Sequence, residues 1–133
     1  MKTILLIEDT IEILENLKEY LELKGFKILT ASNGQKGIDV ANDEIPDLII
    51  CDVLMQEMDG YEVLRMISGS LLTYKIPFIF STSISEKINR TESLRLGADD
   101  YLIKPFDMDT LLKQVNKCID SGSNREFSIV YNA

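Results

Sequence analysis

Acidic, hydroxyl and ammonium groups stand at the ends of apolar segments in this sequence. ILLI is followed by Glu8 and Asp9, LIIC by Asp52, IPFIFS by Thr82, and YLI by Lys104. Carboxylates that are brought together repel one another. A hard divalent cation such as Mg²⁺ relieves that repulsion by binding carboxylate, carbonyl and water oxygens. We therefore expect a cation-dependent site, able to accept a phosphoryl group, where these segments end.

Asp52 is the candidate nucleophile of such a site, because a carboxylate can form an acyl phosphate. The metal, the Lys104 ammonium, the Thr82 hydroxyl and backbone N–H groups would stabilise the transferred charge. Each residue also has a structural interpretation. Glu8 and Asp9 suit a helix start, Thr82 can bond to backbone at a strand end, and a single lysine usually lies on the surface. Their joint placement favours the chemical interpretation.

The elements that must position these residues alternate along the chain. Aliphatic and β-branched segments predict strands at residues 3–7, 26–30, 48–51, 77–81 and 101–103. Helical patterns predict helices at residues 10–24, 34–42, 61–68, 85–96 and 107–120. This alternation predicts an α/β fold with βαβ crossovers, a parallel sheet and helices on both faces. Ligands of such sheets bind beyond the carboxyl ends of the strands.

Composition narrows the function classes. A chain of 133 residues fits one domain, and its net charge of -8, from 22 acidic and 14 basic residues, argues against binding nucleic acid or an anionic membrane. Partners should be proteins or cations. The absence of histidine excludes histidine-based acid–base chemistry, histidine metal ligands and a phosphohistidine role for this sequence. No segment is apolar enough to span a bilayer, and a strand starting at residue 3 leaves no room for a signal peptide, so we expect a cytoplasmic location.

The remaining features concern cysteines and the C-terminal end. Cys51 and Cys118 lie in apolar or helical contexts and are predicted to be small buried hydrophobes without a disulfide. Residues 121–124 have linker composition, whereas Phe127, Ile129 and Tyr131 alternate as in a strand. A flexible or loosely docked tail, an edge strand and the start of a further domain all stay open.

The sequence resembles the receiver domains of bacterial two-component response regulators, of the chemotaxis type. The resemblance rests on ILLIEDT, PDLIICDVLMQEMDGYEVL, IPFIFSTS and GADDYLIKPF. It covers residues 1–120 as a receiver domain and leaves 121–133 as a C-terminal tail or linker. It implies a flavodoxin-like, doubly wound (βα)5 fold with five parallel strands in the order 2-1-3-4-5. The implied role is a signalling switch that catalyses its own phosphorylation and slow dephosphorylation but is not otherwise an enzyme.

The resemblance also implies a role for each site residue. Asp52 would be the phosphoacceptor and a Mg²⁺ ligand, Asp9 a direct ligand, and Glu8 an acidic partner acting through water. The Leu54 carbonyl would complete the metal site. Thr82 and Lys104 would contact the phosphoryl group, and the Lys104-Pro105 bond is usually cis in relatives.

Thr82 and Tyr101 match the residues that switch the domain between its two states. Their movement would remodel the surface formed by the fourth helix, fifth strand and fifth helix (α4-β5-α5). The implied phosphodonor is a sensor histidine kinase or a histidine phosphotransfer protein. The remodelled surface would contact a downstream protein target or a missing output domain, or form a homodimer. The resemblance implies no direct binding of nucleic acid or membrane.

Several positions depart from the family pattern or bear on its alternatives. Gln56 replaces a common proline and Ser83 a common alanine. Leu54 and Ile84 are apolar where relatives vary, which predicts slow self-dephosphorylation because neither can orient water. A glycine-rich phosphate cradle and a Walker-type motif are missing from the sequence, which argues against a nucleotide-binding protein. The remaining alternative is a receiver-like interaction module that is never phosphorylated.

Overall fold

Strands and helices alternate in the computed structural model, which describes residues 1–83 and 95–128. The strands are β1 (Thr3–Ile7), β2 (Lys27–Ala31), β3 (Leu48–Asp52), β4 (Phe78–Ser83) and β5 (Asp100–Lys104). The helices are α1 (Ile11–Leu23), α2 (Gly34–Glu44), α3 (Gly60–Ser68) and the C-terminal helix (Met108–Ser121). The predicted helix at 85–96 lies outside the described residues except at its last two positions.

The strands form one parallel sheet in the order β2-β1-β3-β4-β5, which confirms the predicted fold class. Asp52 pairs in register with Ser81, and Ser83 pairs with Lys104. The carboxyl ends of β3, β4 and β5 therefore meet at one edge of the sheet. We call this the carboxyl edge, and β1 ends there too, because Ile7 is paired with Cys51.

Both faces of the sheet are buried beneath helices. Successive strand residues point to opposite faces. In β1, Leu5 and Ile7 pack in the cluster that contains residues of α2 and α3, whereas Ile4 and Leu6 pack in the cluster that contains residues of α1 and the C-terminal helix. Burial on both sides explains why all residues of β3 are buried, and it confirms the prediction of helices on both faces.

Polar side chains cap the starts of three helices, whereas α1 begins without a side-chain cap. Asn33, Asp59 and Asp107 each precede a helix and accept hydrogen bonds from backbone N–H groups of its first turn. Gly25, with a φ of 95°, follows α1 at the predicted stop. Each cap sets the point at which the chain turns from the sheet edge into a helix.

The carboxyl ends of β2, β3, β4 and β5 each lie one or two residues beyond the predicted ends. The pattern ended β4 at residue 81 and β5 at 103, whereas pairing continues through Ser83 and Lys104. Polar side chains ended the apolar pattern, but the backbone ladder continues because a neighbouring strand supplies its partners. Thr82 and Lys104 consequently belong to the strands themselves.

Two further expectations concern the cysteines and membrane-spanning helices. Cys51 and Cys118 are both buried and not disulfide-bonded, as predicted. Within residues 1–83 and 95–128, none of the helices combines the length and apolar composition needed to cross a membrane.

Residues 122–128 follow the C-terminal helix without forming a helix or strand, and they pack against the domain. Arg125 is buried among them, with 8% of its surface exposed. Ile129 and Tyr131, two residues of the predicted alternation, lie outside the described residues.

Candidate functional site

Lys104 joins the ends of β1, β3 and β5. Its Nζ donates a hydrogen bond of 2.8 Å to Glu8 Oε1 and lies 3.4 Å from Asp52 Oδ1. The side chains are 18% exposed for Lys104, 5% for Glu8 and 6% for Asp52. Because these groups are largely removed from water, their attraction is screened less than at an open surface.

Asp9 completes a cluster of carboxylates with Glu8 and Asp52. One carboxylate oxygen from each lies within 4.8 Å of the other two, and Asp9 is the exposed member. Three carboxylates against the ammonium of Lys104 leave this group with an excess of negative charge. Clustered carboxylate oxygens with one open side fit a hard cation that retains several waters, as Mg²⁺ does.

The environment of Lys104 favours its charged form. Burial acts to lower its pKa, but the hydrogen bond with Glu8 and the charges of Glu8 and Asp52 outweigh burial, so the pKa is raised.

The neighbouring Cys51 thiol behaves differently. Burial, followed by the charge of Asp52, raises the pKa of Cys51 well above its ordinary value. The thiolate form of Cys51 is therefore disfavoured relative to that of an ordinary cysteine.

The loop after β3 holds the backbone of Asp52 in place. The Val53 N–H donates to Ser81 O at 3.0 Å, and the Gly60 N–H donates to Val53 O at 2.8 Å. A Cβ atom on Gly60 would lie 2.5 Å from Asp52 O, so only glycine allows α3 to start so close to the strand. Gly60 was not predicted to have this role, because its position directly after Asp59 indicates a helix start but not how closely α3 approaches the strand.

Among the other predicted residues, Thr82 and Leu54 lie at the carboxyl edge, whereas Tyr101 lies toward the opposite end of β5. Thr82 is fully buried near the end of β4, with Oγ1 3.4 Å from Ser83 O. Leu54 follows β3 and is 57% exposed. Tyr101, near the start of β5, is half-buried against the α2 and α3 side of the core. The Lys104-Pro105 bond is cis, as the resemblance implied.

An open cleft of about 440 Å³ lies next to Lys104. Its walls come from α1, the end of β5 and the start of the C-terminal helix, and they include Ile13, Leu17, Phe106 and Met108. The cleft places a mainly apolar surface beside the charged cluster.

A parallel sheet in the order 2-1-3-4-5 with an acidic cluster at its carboxyl edge defines a flavodoxin-like α/β protein of the receiver class. The family model described as the response regulator receiver domain matches residues 4–116. The chain therefore belongs to this family, and the resemblance in its sequence is confirmed. Receiver domains are signalling modules, and response regulators generally interact with histidine kinases and downstream targets.

Two relatives support this assignment. Protein PilH of Pseudomonas aeruginosa is 34% identical over 116 residues, which are 87% of this chain and 96% of PilH. The transcriptional regulatory protein CpxR of Escherichia coli K12 is 36% identical over 115 residues, which are 86% of this chain and 48% of CpxR. The chain thus spans about half the length of CpxR.

A solved structure bears on the metal. The receiver domain of the sensor histidine kinase PA1611 from Pseudomonas aeruginosa PAO1 has a magnesium ion coordinated in its active site cleft. Its TM-score with this chain is 0.82 at 26% identity, and the match covers 90% of this chain and 98% of that domain.

Proposed function

We propose that this chain is a phosphoacceptor switch that receives a phosphoryl group on Asp52 in a Mg²⁺-dependent reaction. The observation that carries the proposal is the contact of one ammonium, Lys104, with both Glu8 and Asp52 at the carboxyl edge. This arrangement joins a candidate nucleophile to a fixed positive charge and to a cation-binding cluster. Phosphoryl transfer depends mainly on such positioning and charge stabilisation.

The transfer forms one bond and breaks another. A carboxylate oxygen of Asp52 attacks the phosphorus atom of the donor, forming an acyl phosphate. The P–N bond of a phosphohistidine, or the P–O bond of a small acyl phosphate, breaks. The leaving group keeps the electron pair. Lys104 and the Thr82 hydroxyl stabilise the transferred group, because both donate hydrogen bonds to phosphoryl oxygens.

Glu8, Asp9, Asp52 and the carbonyl of Leu54 would hold the metal, with Glu8 acting through water. A bound Mg²⁺ neutralises negative charge on the carboxylates and on the phosphoryl oxygens. Two observations support this assignment, namely the 4.8 Å clustering of the three carboxylates and the magnesium ion in the PA1611 receiver domain.

Phosphorylation adds about -1.5 to -2 charges and three acceptor oxygens at Asp52. These oxygens attract Thr82 and Lys104, whose strands are adjacent. Movement of Thr82 frees space that Tyr101 can occupy, which changes the surface around β5. The changed surface is formed by the predicted helix at 85–96, β5 and the C-terminal helix (α4-β5-α5). Downstream proteins, an output domain beyond this chain, or a second copy in a homodimer would bind it. The predicted helix of that surface, at 85–96, lies mostly outside the described residues.

The donor in this proposal is a cytoplasmic sensor histidine kinase or histidine phosphotransfer protein. The cleft beside Lys104 supports this assignment, since its apolar walls give a partner helix a surface to pack on. A histidine on that helix would then reach the carboxyl edge. The chain's own lack of histidine requires the phosphohistidine to come from elsewhere.

Intact mass after incubation with Mg²⁺ and acetyl phosphate tests the proposal. The wild-type chain should gain about 80 Da, the mass of one phosphoryl group, whereas Asp52→Asn should gain nothing. Asp43→Asn is the matched control, because Asp43 is an exposed acid at the end of α2. It should be phosphorylated like the wild type, and chelation of Mg²⁺ should prevent the reaction in both.

Failure of the folded wild-type chain to gain this mass, with either acetyl phosphate or a phosphorylated kinase, would overturn the proposal. The chain would then be a receiver-like interaction module that works by binding alone. An equal gain by Asp52→Asn would instead mean that another residue accepts the phosphoryl group.

A further inference from the structure

Residues 122–128 return from the C-terminal helix to the end of the sheet opposite the carboxyl edge. Gly122, with a φ of 69°, redirects the chain. Ser128 N–H then donates to Ser68 O at 2.9 Å, and the rings of Phe127 and Tyr74 meet edge to face with centroids 5.8 Å apart. We call this segment the C-terminal clamp.

Arg125 is the most buried residue of the clamp. Its Nη1 donates to Gly97 O at 3.0 Å and to Asp99 Oδ2 at 3.2 Å, while Nη2 donates to Ile76 O. A Cβ on Gly97 would lie 2.8 Å from Arg125 Cδ, so the glycine makes room for the arginine stem. Burial lowers the pKa of Arg125 and the charge of Asp99 opposes this effect. A buried guanidinium paired in this way is costly to leave without its partner.

Asp99 connects the clamp to two strands. The same Oδ2 atom accepts a 2.8 Å hydrogen bond from the N–H of Phe78, the first residue of β4. The Asp99 N–H donates to Phe78 O at 2.9 Å, and β5 begins at the next residue, Asp100. Arg125 therefore binds where the amino ends of β4 and β5 are joined.

The carboxyl ends of those strands carry Thr82 and Lys104. Each residue lies four positions beyond the start of its strand, at Phe78 and Asp100, or about 13 Å along the backbone. The two strands are paired from Ile79↔Asp100 to Ser83↔Lys104. A displacement of the paired strands at one end is therefore carried to the other end by a short hydrogen-bonded ladder.

We propose that the C-terminal clamp is coupled to the state of the carboxyl edge, with Arg125 as its latch, so that phosphorylation of Asp52 promotes opening of the clamp. This coupling rests on the proposed function. The contacts of Arg125 fit the positions that β4 and β5 have in this structure, so a shift of these strands toward a phosphoryl group weakens them. By linkage, opening the clamp favours the phosphorylated state to the same extent.

Trypsin cleavage after Arg125 measures opening, because a buried arginine is cut only when its segment leaves the domain. The released peptide is residues 126–133, and its rate of appearance follows the open fraction when opening is fast. Asp99→Asn keeps an oxygen acceptor but removes the charge facing Arg125, and it should speed release at least about tenfold. Tyr74→Leu removes a ring contact and should speed release about threefold. Neither change alters the sequence that trypsin reads around Arg125.

The matched control is Asp120→Asn, which makes the same charge change at an exposed helix position and should leave the release rate unchanged. Circular dichroism verifies that each variant is folded. If Asp99→Asn does not fold, the release rate of Tyr74→Leu decides the result. Wild-type release rates in both folded variants would overturn the clamp itself.

Coupling is measured on the wild-type chain with Mg²⁺ and excess acetyl phosphate. Phosphorylation, followed by intact mass, should raise the release rate about fivefold, and Asp52→Asn should show no increase. An added phosphoryl mass without faster release would overturn the coupling and leave the proposed function intact. Absence of the added mass would overturn the proposed function and the coupling together, while the two clamp variants would still decide whether the clamp exists.

Discussion

The ammonium of Lys104 donates its 2.8 Å hydrogen bond to the carboxylate of Glu8. Its distance to Asp52 Oδ1 is longer, at 3.4 Å. Glu8 is thus the residue that fixes Lys104, and Asp52 is neutralised less directly. The remaining negative charge of the cluster destabilises the folded state through repulsion between the carboxylates. The same charge gives the cluster its affinity for a cation.

Glu8 and Asp9 are neighbours in sequence, but their substitution should change stability in opposite directions. Glu8→Gln loses the charge-assisted bond to Lys104 and should lower the free energy of unfolding by about 1 kcal/mol. Asp9→Asn relieves repulsion at an exposed position and should raise it slightly. Urea denaturation without divalent metal, with Asp43→Asn as a neutral control, measures both changes. A decrease of equal size in the two variants would contradict this account of the cluster.

Added Mg²⁺ should make the wild type more stable than Asp9→Asn, which is the reverse of the order expected without divalent metal. Binding to the folded state raises Tm by an amount that grows with the logarithm of the ratio of ligand concentration to Kd. The wild-type Tm should therefore rise with added Mg²⁺, and the rise should be smaller in Asp9→Asn because one carboxylate ligand is gone. Equal Mg²⁺-dependent rises would exclude Asp9 from the metal site.

The stabilising effect of Lys104 should disappear in alkaline solution. Its pKa is raised in the folded state above the ordinary 10.5 because the attraction of Glu8 and Asp52 exceeds the effect of burial. A raised pKa means that the stabilisation is fully present below the ordinary value and is lost as pH rises through the folded-state value. The difference in unfolding free energy between wild type and Lys104→Met should be constant from neutral pH to about pH 9 and shrink above the ordinary lysine pKa.

Lys18→Met provides the control, because this substitution removes the same charge at an exposed position of α1. Denaturation across the pH series should give a small difference from wild type that lacks this alkaline decrease. A Lys104→Met difference that stays constant to high pH would show that packing of the side chain, not its charge, stabilises the site.

Gly60 should be intolerant of even a methyl group. Gly60→Ala would place Cβ 2.5 Å from Asp52 O and 3.0 Å from Val53 Cα, and backbone atoms cannot move aside without shifting the phosphoacceptor. We expect a loss of about 2 kcal/mol in unfolding free energy and slower phosphorylation by acetyl phosphate. Gly25→Ala is the control, since its φ of 95° imposes strain but nothing lies within 4 Å. It should cost about 1 kcal/mol and leave phosphorylation unchanged.

The main parts of the site could be predicted from sequence because they depend on strand ends. Parallel strands deliver the residues that follow them to one edge, so Glu8, Asp52 and Lys104 could be expected to meet without knowledge of any side-chain contact. Gly60 belongs to a different category. Its role depends on how closely α3 approaches the Asp52 carbonyl, and the one-dimensional pattern contains no information about that distance.

Arg125 shows why the rest could not be predicted. Its partners Gly97, Asp99 and Ile76 lie 28, 26 and 49 positions away in sequence. They are brought together only by the completed sheet, and the segment before Arg125 has the composition of a linker. A side chain whose partners are assembled by several distant elements leaves no local periodicity to read.

Leu54 should control how long the phosphoryl group persists. It lies two residues after Asp52 and is 57% exposed, but its side chain has no polar atom to orient an attacking water. Leu54→Asn supplies an amide at that position and should raise the dephosphorylation rate about threefold or more. Loss of the phosphoryl mass after rapid removal of acetyl phosphate measures the rate, with Leu23→Asn, at an exposed leucine on α1, as the control. If Leu54→Asn hydrolyses no faster than the wild type, water access at this position does not limit the lifetime.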